Sequence, residues 1–156
     1  MQTIFKNWYN FLNEKNKRQV ASTFVIDSDD KVLIIRRTKT APSKPGSWEI
    51  PGGRMDPEDK DAKEAAERET QEETGLSVNN LISVSVEETN NKIKHYYTTR
   101  DYSGNVSLDP NPKTDILEHD DYKWVSMEEI EELGQQTTVD IYLLKKAISH
   151  KKESNT

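Results

Sequence analysis

Cysteine is absent from the 156 residues of this chain. That absence excludes disulfide bonds, zinc sites that use thiolates, and catalysis by a cysteine nucleophile. It is also consistent with a reducing compartment, where disulfides rarely form. A chain of this length is long enough to bury a hydrophobic core as one domain of ordinary size.

An excess of positive charge is also lacking, because 22 Lys and Arg residues face 28 Asp and Glu residues, for a net charge of −6. Proteins that bind nucleic acids or membranes usually present a basic face. We therefore expect neither kind of partner. A nucleotide substrate remains compatible with this charge, since a metal ion and a few nearby Lys or Arg side chains can hold its phosphates.

Long apolar runs are missing too, and none approaches the roughly 20 residues that a membrane-spanning helix needs. The N-terminus does not resemble a secretory signal, because Lys6, Asn7 and Asn10 interrupt its apolar residues and no small-residue cleavage site follows. We therefore predict a cytoplasmic protein.

Apolar residues recur at helical spacing over residues 3–15. They are Ile4, Phe5, Trp8, Tyr9, Phe11 and Leu12. We predict that residues 1–18 form an amphipathic helix that packs on the main domain or on a partner, so that a homodimer is one outcome. A lid or a membrane-surface helix is the alternative. The main domain spans residues 19–150, and the polar tail 151–156 is predicted to be disordered.

Hydrophobic patterning then predicts a chain of strands interrupted by helices. The predicted strands cover residues 20–27, 31–37, 48–50, 81–88, 92–102 and 122–125, and the predicted helices cover 58–74, 127–133 and 139–150. We expect the first two strands to form a hairpin, since Ser28, Asp29 and Asp30 between them favour a turn. Hairpins mixed with helices favour an α/β fold of the α+β kind, with a mixed sheet between helices.

One stretch of this pattern carries a concentrated charge. Glu69, Glu72 and Glu73 share one face of the predicted helix, with Arg68 beside them. Like charges so close together are unfavourable unless a cation lies among them. Clusters of carboxylate oxygens suit hard ions such as Mg²⁺ or Mn²⁺. The sequence therefore predicts a divalent metal site on this helix.

The run Pro51-Gly52-Gly53, followed through a helix by Arg68-Glu69-x-x-Glu72-Glu73-x-Gly75-Leu76, resembles the Nudix box of the Nudix hydrolases, in particular MutT-like members. The resemblance implies a Nudix-type α/β/α sandwich with a mixed central sheet. It also implies Mg²⁺-dependent cleavage of a pyrophosphate linkage, with Mn²⁺ as a substitute. The spacing between the glycines and Arg68 is one residue longer than the family pattern, so Glu58 and Asp59 are both candidates for the supporting acid of the loop.

The resemblance also implies roles for individual residues. The metal ligands would be Glu69, Glu72, Glu73 and the carbonyl of Gly52, with Glu72 and Glu73 also catalytic. Arg68 would orient a neighbouring glutamate through paired hydrogen bonds.

Further acidic and histidine residues lie outside the Nudix box. By the same resemblance, Glu118 in the loop before the last strand is a candidate catalytic base or further metal ligand, with a solvated loop acid as the alternative. Asp115 lies in the same loop. His119 could assist, although we expect it at the surface. His95 is expected to be a packed or half-exposed residue of the sheet.

Candidate substrate contacts are cationic and aromatic. Phosphates would meet Arg36 and Lys39, with Arg37 and Lys44 flanking the same loop. A nucleobase would stack on an aromatic ring, for which we select Tyr97 over the other aromatic candidates. The others are Phe24, Trp48 and Tyr96.

We therefore predict a nucleotide as the substrate and hydrolysis of a (d)NTP to the monophosphate and pyrophosphate as the function. The alternatives are a pyrophosphatase acting on ADP-ribose or a nucleotide sugar, and a Nudix-fold module that senses a nucleotide without cutting it.

Overall fold

The computed structural model describes residues 17–151, and within them nine β-strands and three α-helices form. The strands are β1 (Arg18–Val25), β2 (Val32–Arg37), β3 (Trp48–Glu49), β4 (Gly52–Arg54), β5 (Ser77–Asn79), β6 (Ile82–Glu88), β7 (Lys92–Thr99), β8 (Asp101–Ser103) and β9 (His119–Val125). The helices are α1 (Ala62–Thr74), α2 (Met127–Leu133) and α3 (Ile141–Ser149), and a 3₁₀ turn covers Gly134–Gln136.

The described strands form three sheets. A four-stranded sheet has the order β4-β1-β7-β6, in which β1 and β7 are parallel and the other neighbours antiparallel. An antiparallel sheet has the order β3-β2-β9, and β5 pairs with β8. Parallel and antiparallel neighbours in one sheet, combined with helices, confirm the predicted mixed α+β class.

Helices cover both faces of the strands because successive side chains of a strand point to opposite faces. In β1, Ala21 and Val25 belong to the hydrophobic cluster under α1. Phe24, and Ile26 just after the end of the strand, belong to the cluster under α2 and α3. Full burial of a side chain such as Phe24 contributes about 1.5–3 kcal/mol. This arrangement is the predicted α/β/α sandwich.

Helix α1 lies close to the sheet because its inner face is built from small side chains. Ala62, Ala65 and Ala66 are all buried there, as their spacing predicts. The helix begins later than predicted, after Asp61, whose side chain accepts a hydrogen bond from Glu64 N at 2.8 Å. It ends at Gly75 as predicted, in the left-handed conformation (φ 77°) that glycine adopts without strain.

The predicted hairpin between the first two strands is wrong. The strands meet only at a bridge from Ile26 to Val32 and then enter different sheets. Both edges of β1 are already occupied, by β4 on one side and β7 on the other, so β2 cannot pair along it. The hairpin of β6 and β7 forms as predicted, with Thr89 N donating to Lys92 O at 2.8 Å across the Asn90-Asn91 turn.

The predicted helix at residues 3–15 lies outside the described residues, as does the predicted tail beyond residue 151. Strand β1 begins at Arg18, at the end of the segment assigned to that helix. Among residues 17–151, no helix is long and apolar enough to cross a membrane.

Candidate active site

Two glycines bring the loop after β3 into contact with the carboxylates of α1. Gly52 N donates to Glu73 Oε1 at 2.7 Å. A Cβ at Gly52 would lie 2.3 Å from Ser22 Oγ and 2.7 Å from the Ala21 carbonyl oxygen, and a Cβ at Gly53 would lie 2.5–2.7 Å from the Glu69 carboxylate. A side chain at Gly52 would therefore clash with the backbone of β1, which requires glycine there, whereas a side chain at Gly53 would displace the carboxylate of Glu69.

Arg68 is the centre of the charge cluster. Its Nε and Nη2 donate to the two carboxylate oxygens of Asp59 at 3.1 and 3.0 Å. Its Nη1 donates to Glu69 Oε1 and to Glu72 Oε2, both at 3.1 Å. Nη2 also donates to the carbonyl of Arg54 at 3.1 Å. A single guanidinium therefore orients two glutamates and ties α1 to the preceding loop, although its paired bonds go to Asp59 and not to a glutamate.

Asp59, and not Glu58, is the acid that supports the site from the loop. Its side chain is buried against Arg68 and accepts a further bond from Asp56 N at 2.8 Å, whereas Glu58 is exposed. The hydrogen bonds from Arg68 lower the pKa of Asp59 in spite of its burial. The same contact raises the pKa of Arg68, so the contact favours the charged form of both side chains.

Two of the clustered glutamates resist ionisation in the metal-free protein. Burial raises the pKa of Glu73 well above its ordinary value, and the N–H of Gly52 opposes that rise. Burial also raises the pKa of Glu69, against the opposing charge of Arg68. A divalent cation among these oxygens would favour the ionised forms. The donor set of Glu69, Glu72 and Glu73 therefore fits a hard divalent ion.

His119 is not at the surface, which corrects the sequence prediction. It begins β9 and is 4% exposed. Its Nε2 lies 2.9 Å from Glu49 Oε2, and its Nδ1 lies 3.6 Å from Glu73 Oε2. Glu49, Glu73 and His119 each offer a ligand atom within 4.8 Å of the others, so these three residues form a group that could hold a metal ion. The pairing of β2 with both β3 and β9 brings Glu49 and His119 together.

Glu118 lies near the cluster without being bonded to it. Its Oε1 accepts from Asn111 Nδ2 at 2.9 Å, and its side chain is exposed. Its negative charge contributes to the raised pKa of both Glu69 and Glu73, which places it within electrostatic range of them. Asp115 is exposed in the same loop, in a left-handed conformation (φ 58°).

A cavity of about 320 Å³ opens beside this cluster. Glu49 connects the cavity to the carboxylates of α1. It lines the cavity, and it bonds His119, whose Nδ1 lies 3.6 Å from Glu73 Oε2. The remaining lining combines aromatic, basic and acidic side chains with small polar ones. It consists of Ser22, Phe24, Arg37, Ser43, Lys44, Ile50, Lys94, Tyr96, Thr138, Val139 and Asp140. The mixture suits a ligand with both an anionic part and a planar apolar part.

Of the predicted phosphate contacts, neither Arg36 nor Lys39 lines this cavity. Arg36 donates to Asp120 Oδ1 at 2.7 Å and lies over the ring of Trp48, outside the cavity lining. Lys39 is exposed in the loop before β3. Arg37 lines the cavity instead, with its Nη1 3.4 Å from Glu49 Oε2.

The predicted aromatic contact, Tyr97, does not line this cavity either. Tyr97 packs with the hydrophobic cluster under α1, on the face of β7 opposite to the cavity. Tyr96 lines the cavity with Phe24, and their ring centroids are 6.2 Å apart. Trp48 is buried in the core, as expected, and His95 is half-buried with Nε2 2.8 Å from Gln19 Oε1.

Three polar residues of the site were missed from the sequence. Glu49 lies two residues before Pro51, and this position next to the glycine turn could have indicated that Glu49 belongs to the site. Lys94 and Asp140 lie far from the box in sequence, and only the packing of β7 and α3 brings them to the cavity.

Residues 16–146 match the family model of the NUDIX domain. The fold resembles a MutT NUDIX hydrolase from Burkholderia pseudomallei (23% identity, TM-score 0.60, covering 72% of this chain and 84% of that one). It also resembles a MutT protein from Methanosarcina mazei Go1 (24%, TM-score 0.60, 83% and 89%). A third similar structure is the NUDIX domain of Shewanella oneidensis NrtR complexed with ADP ribose (17%, TM-score 0.67, 85% and 87%).

Proposed function

Because this chain belongs to the NUDIX family and is a Nudix hydrolase, we propose that it hydrolyses nucleoside triphosphates to the monophosphate and pyrophosphate, with Mg²⁺ as the cofactor. The main observation behind the proposal is that Glu49 lines the cavity and also bonds His119, which lies beside Glu73 of the carboxylate cluster. A nucleotide in the cavity would have its phosphate chain directed at the carboxylates of α1.

The carboxylates of Glu69, Glu72 and Glu73 would hold the metal, together with the carbonyl of Gly52. A bound divalent ion neutralises phosphate oxygens and makes a bound water more acidic. Mn²⁺ prefers similar oxygen ligands and would replace Mg²⁺.

The protein's own contribution is largely positioning. Arg68 holds Glu69 and Glu72 in place, and Gly52 N–H holds Glu73. Glu118 is the exposed carboxylate of the site, and we assign to it the removal of the proton from the attacking water. Arg37 and Lys44 line the cavity and would bind phosphate oxygens, the arginine through its planar fork.

The nucleoside would occupy the inner part of the cavity. Tyr96 and Phe24 offer aromatic surface for a base, and base–aromatic stacking contributes about 1–3 kcal/mol. Lys94 can donate to a base carbonyl. Asp140 Oδ1 accepts a hydrogen bond from Leu143 N in the first turn of α3, and the other carboxylate oxygen can accept from a base N–H. A base with a carbonyl and an amino or imino group would satisfy both side chains.

ADP-ribose is the second candidate substrate. It is the ligand of the NrtR NUDIX domain that this fold resembles, and the three basic side chains of the cavity could hold a diphosphate with a sugar on each end. The two candidates differ in their products, since ADP-ribose would give AMP and ribose 5-phosphate.

The test is a panel of nucleoside triphosphates, nucleotide sugars and ADP-ribose, incubated with Mg²⁺ and followed by product identification. The wild-type protein is compared with Glu72→Gln and with Glu67→Gln, a glutamate of the same helix for which no bond to the cluster exists among the described residues. We expect pyrophosphate release by the wild type and by Glu67→Gln, and its loss in Glu72→Gln. If nucleotides raise the melting temperature but none is cleaved, the protein is a sensor and the proposal fails.

A further inference from the structure

One end of the four-stranded sheet extends beyond α1. Residues paired across neighbouring strands point to the same face. Ala21, which packs under α1, pairs with His95, and His95 pairs with Val86 on the edge strand. Continuing away from the helix, Gln19 pairs with Ile93. The face that α1 covers therefore continues past the helix.

We call the residues of this continuation the open sheet face; they are Gln19, Val86, Glu88, Ile93 and His95. Ile93 and Val86 belong to neither hydrophobic cluster of the described residues, and Val86 is 57% exposed. Two β-branched apolar side chains thus lie on a sheet face that no described helix covers. These two side chains leave an apolar area on the sheet that a further apolar segment could cover.

The described chain begins at the border of this face. Lys17 Nζ lies 2.6 Å from Glu88 Oε1, and Arg18 N donates to Asn91 O at 3.1 Å, so the first described residue lies at the edge of the open sheet face. Sixteen residues precede Lys17. As a helix they would span about 24 Å, whereas three strands are roughly 10 Å wide from the first to the third. The segment can reach across the whole face.

We propose that residues 1–16 of the same chain cover the open sheet face, with Trp8 packed on Ile93 and Val86. Their apolar residues recur at helical spacing and supply the complementary surface. The loop before α1 borders this face, because Met55 N donates to Gln19 O at 2.9 Å and a groove of about 530 Å³ lies between Arg18 and that loop. This inference does not depend on which substrate is cleaved.

The test uses the full chain labelled with 5-fluorotryptophan and observed by ¹⁹F NMR. The protein has three tryptophans, Trp8, Trp48 and Trp124, so three signals are expected, and Trp8→Phe assigns the first. We expect the Trp8 signal to be displaced from that of the free amino acid and to show little solvent isotope shift. Val86→Asp should move the Trp8 signal to the free position. The signals of Trp48 and Trp124 report that the variant is folded.

Ile82→Asp is the matched control. Ile82 lies on the same edge strand with 44% exposure, but it pairs with Thr98, which points towards α3. It should leave the Trp8 signal unchanged. A Trp8 signal at the free position in the wild type would overturn the proposal. So would a displaced signal that returns to the free position on dilution while the molecular mass halves, because the occupant would then be a second copy.

Discussion

The carboxylate cluster on α1 and the cavity beside it satisfy their polar groups in different ways. In the cluster, Arg68 bonds three carboxylates and Gly52 N–H holds a fourth, so each side chain has a fixed position. In the cavity, Lys44 and Lys94 form no ion pair with any other described residue. The cluster is organised before a ligand arrives, whereas the cavity leaves donors and acceptors for the ligand. We infer that the cluster carries the reaction and the cavity selects the substrate.

The largest expected effect is on the cluster side of this comparison. Glu73→Gln removes a negative ligand from a buried position, and we expect turnover of every substrate to fall by about 10³-fold or more, since a metal ion contributes several kcal/mol to a phosphoryl transition state. Steady-state phosphate release measures it, with Glu67→Gln as the charge-matched control. An equal fall in both variants would show that net charge, and not the ligand, is responsible.

The next effect concerns the residue that organises the cluster. Arg68→Lys keeps the charge but loses the planar fork that binds Asp59 and two glutamates. We expect Mg²⁺ affinity and activity to fall about 10–100-fold, the range typical when a group behind the ligands is removed. A Mg²⁺ titration of activity measures it, and Arg54→Lys, with an exposed side chain, is the control. Unchanged Mg²⁺ dependence would contradict the positioning role.

On the cavity side, Asp140→Asn should alter selection and leave the reaction intact. Asparagine still caps α3, so helix stability is preserved, but one side of the amide becomes a donor. We expect the ratio of kcat/KM between the best and second-best nucleotide to change about 10-fold, through KM, as one reversed hydrogen bond is worth about 1.4 kcal/mol. Competition between two nucleotides measures the ratio directly. An unchanged ratio would show that Asp140 does not contribute to base recognition.

The smallest expected effect is on stability. The pKa of Glu73 is higher in the folded protein than in the unfolded chain, so the unfolded state releases its proton first as pH rises. The free energy of unfolding of the metal-free protein should therefore fall as pH rises above the ordinary carboxyl value. The increase in Tm on adding Mg²⁺ should grow over the same interval. Thermal melts at several pH values, with and without Mg²⁺, measure the two trends. Glu73→Gln should make both trends nearly independent of pH. An increase in Tm with Mg²⁺ that is constant with pH in the wild type would contradict the role of Glu73 as a metal ligand.

The comparison also explains what the sequence could predict. The cluster comes from residues within one helix and the adjoining glycine turn, so spacing alone placed Glu69, Glu72 and Glu73 on one face. The choice between Glu58 and Asp59 required three-dimensional information, because a loop of irregular backbone decides which side chain turns towards Arg68.

The cavity depends on strands that are distant in sequence. Adjacent residues of a strand point to opposite faces of the sheet, and the packing of the strands decides which of the two faces lines the cavity. Tyr96 and Arg37 line it, and Tyr97 and Arg36 do not. The prediction of a hairpin between β1 and β2 was wrong for a related reason. The turn residues between the two strands carry no information on β4 and β7, which pair with the two edges of β1. His119 was assigned to the surface because its burial depends on the pairing of β2 and β9.

The most direct test of this division is kcat/KM for the same two nucleotides in the wild type, Glu73→Gln and Asp140→Asn, measured side by side with Mg²⁺. The account predicts that Glu73→Gln lowers both values by the same large factor, and that Asp140→Asn changes their ratio with little change in kcat. A changed ratio in Glu73→Gln, together with a uniform loss of kcat in Asp140→Asn, would contradict it.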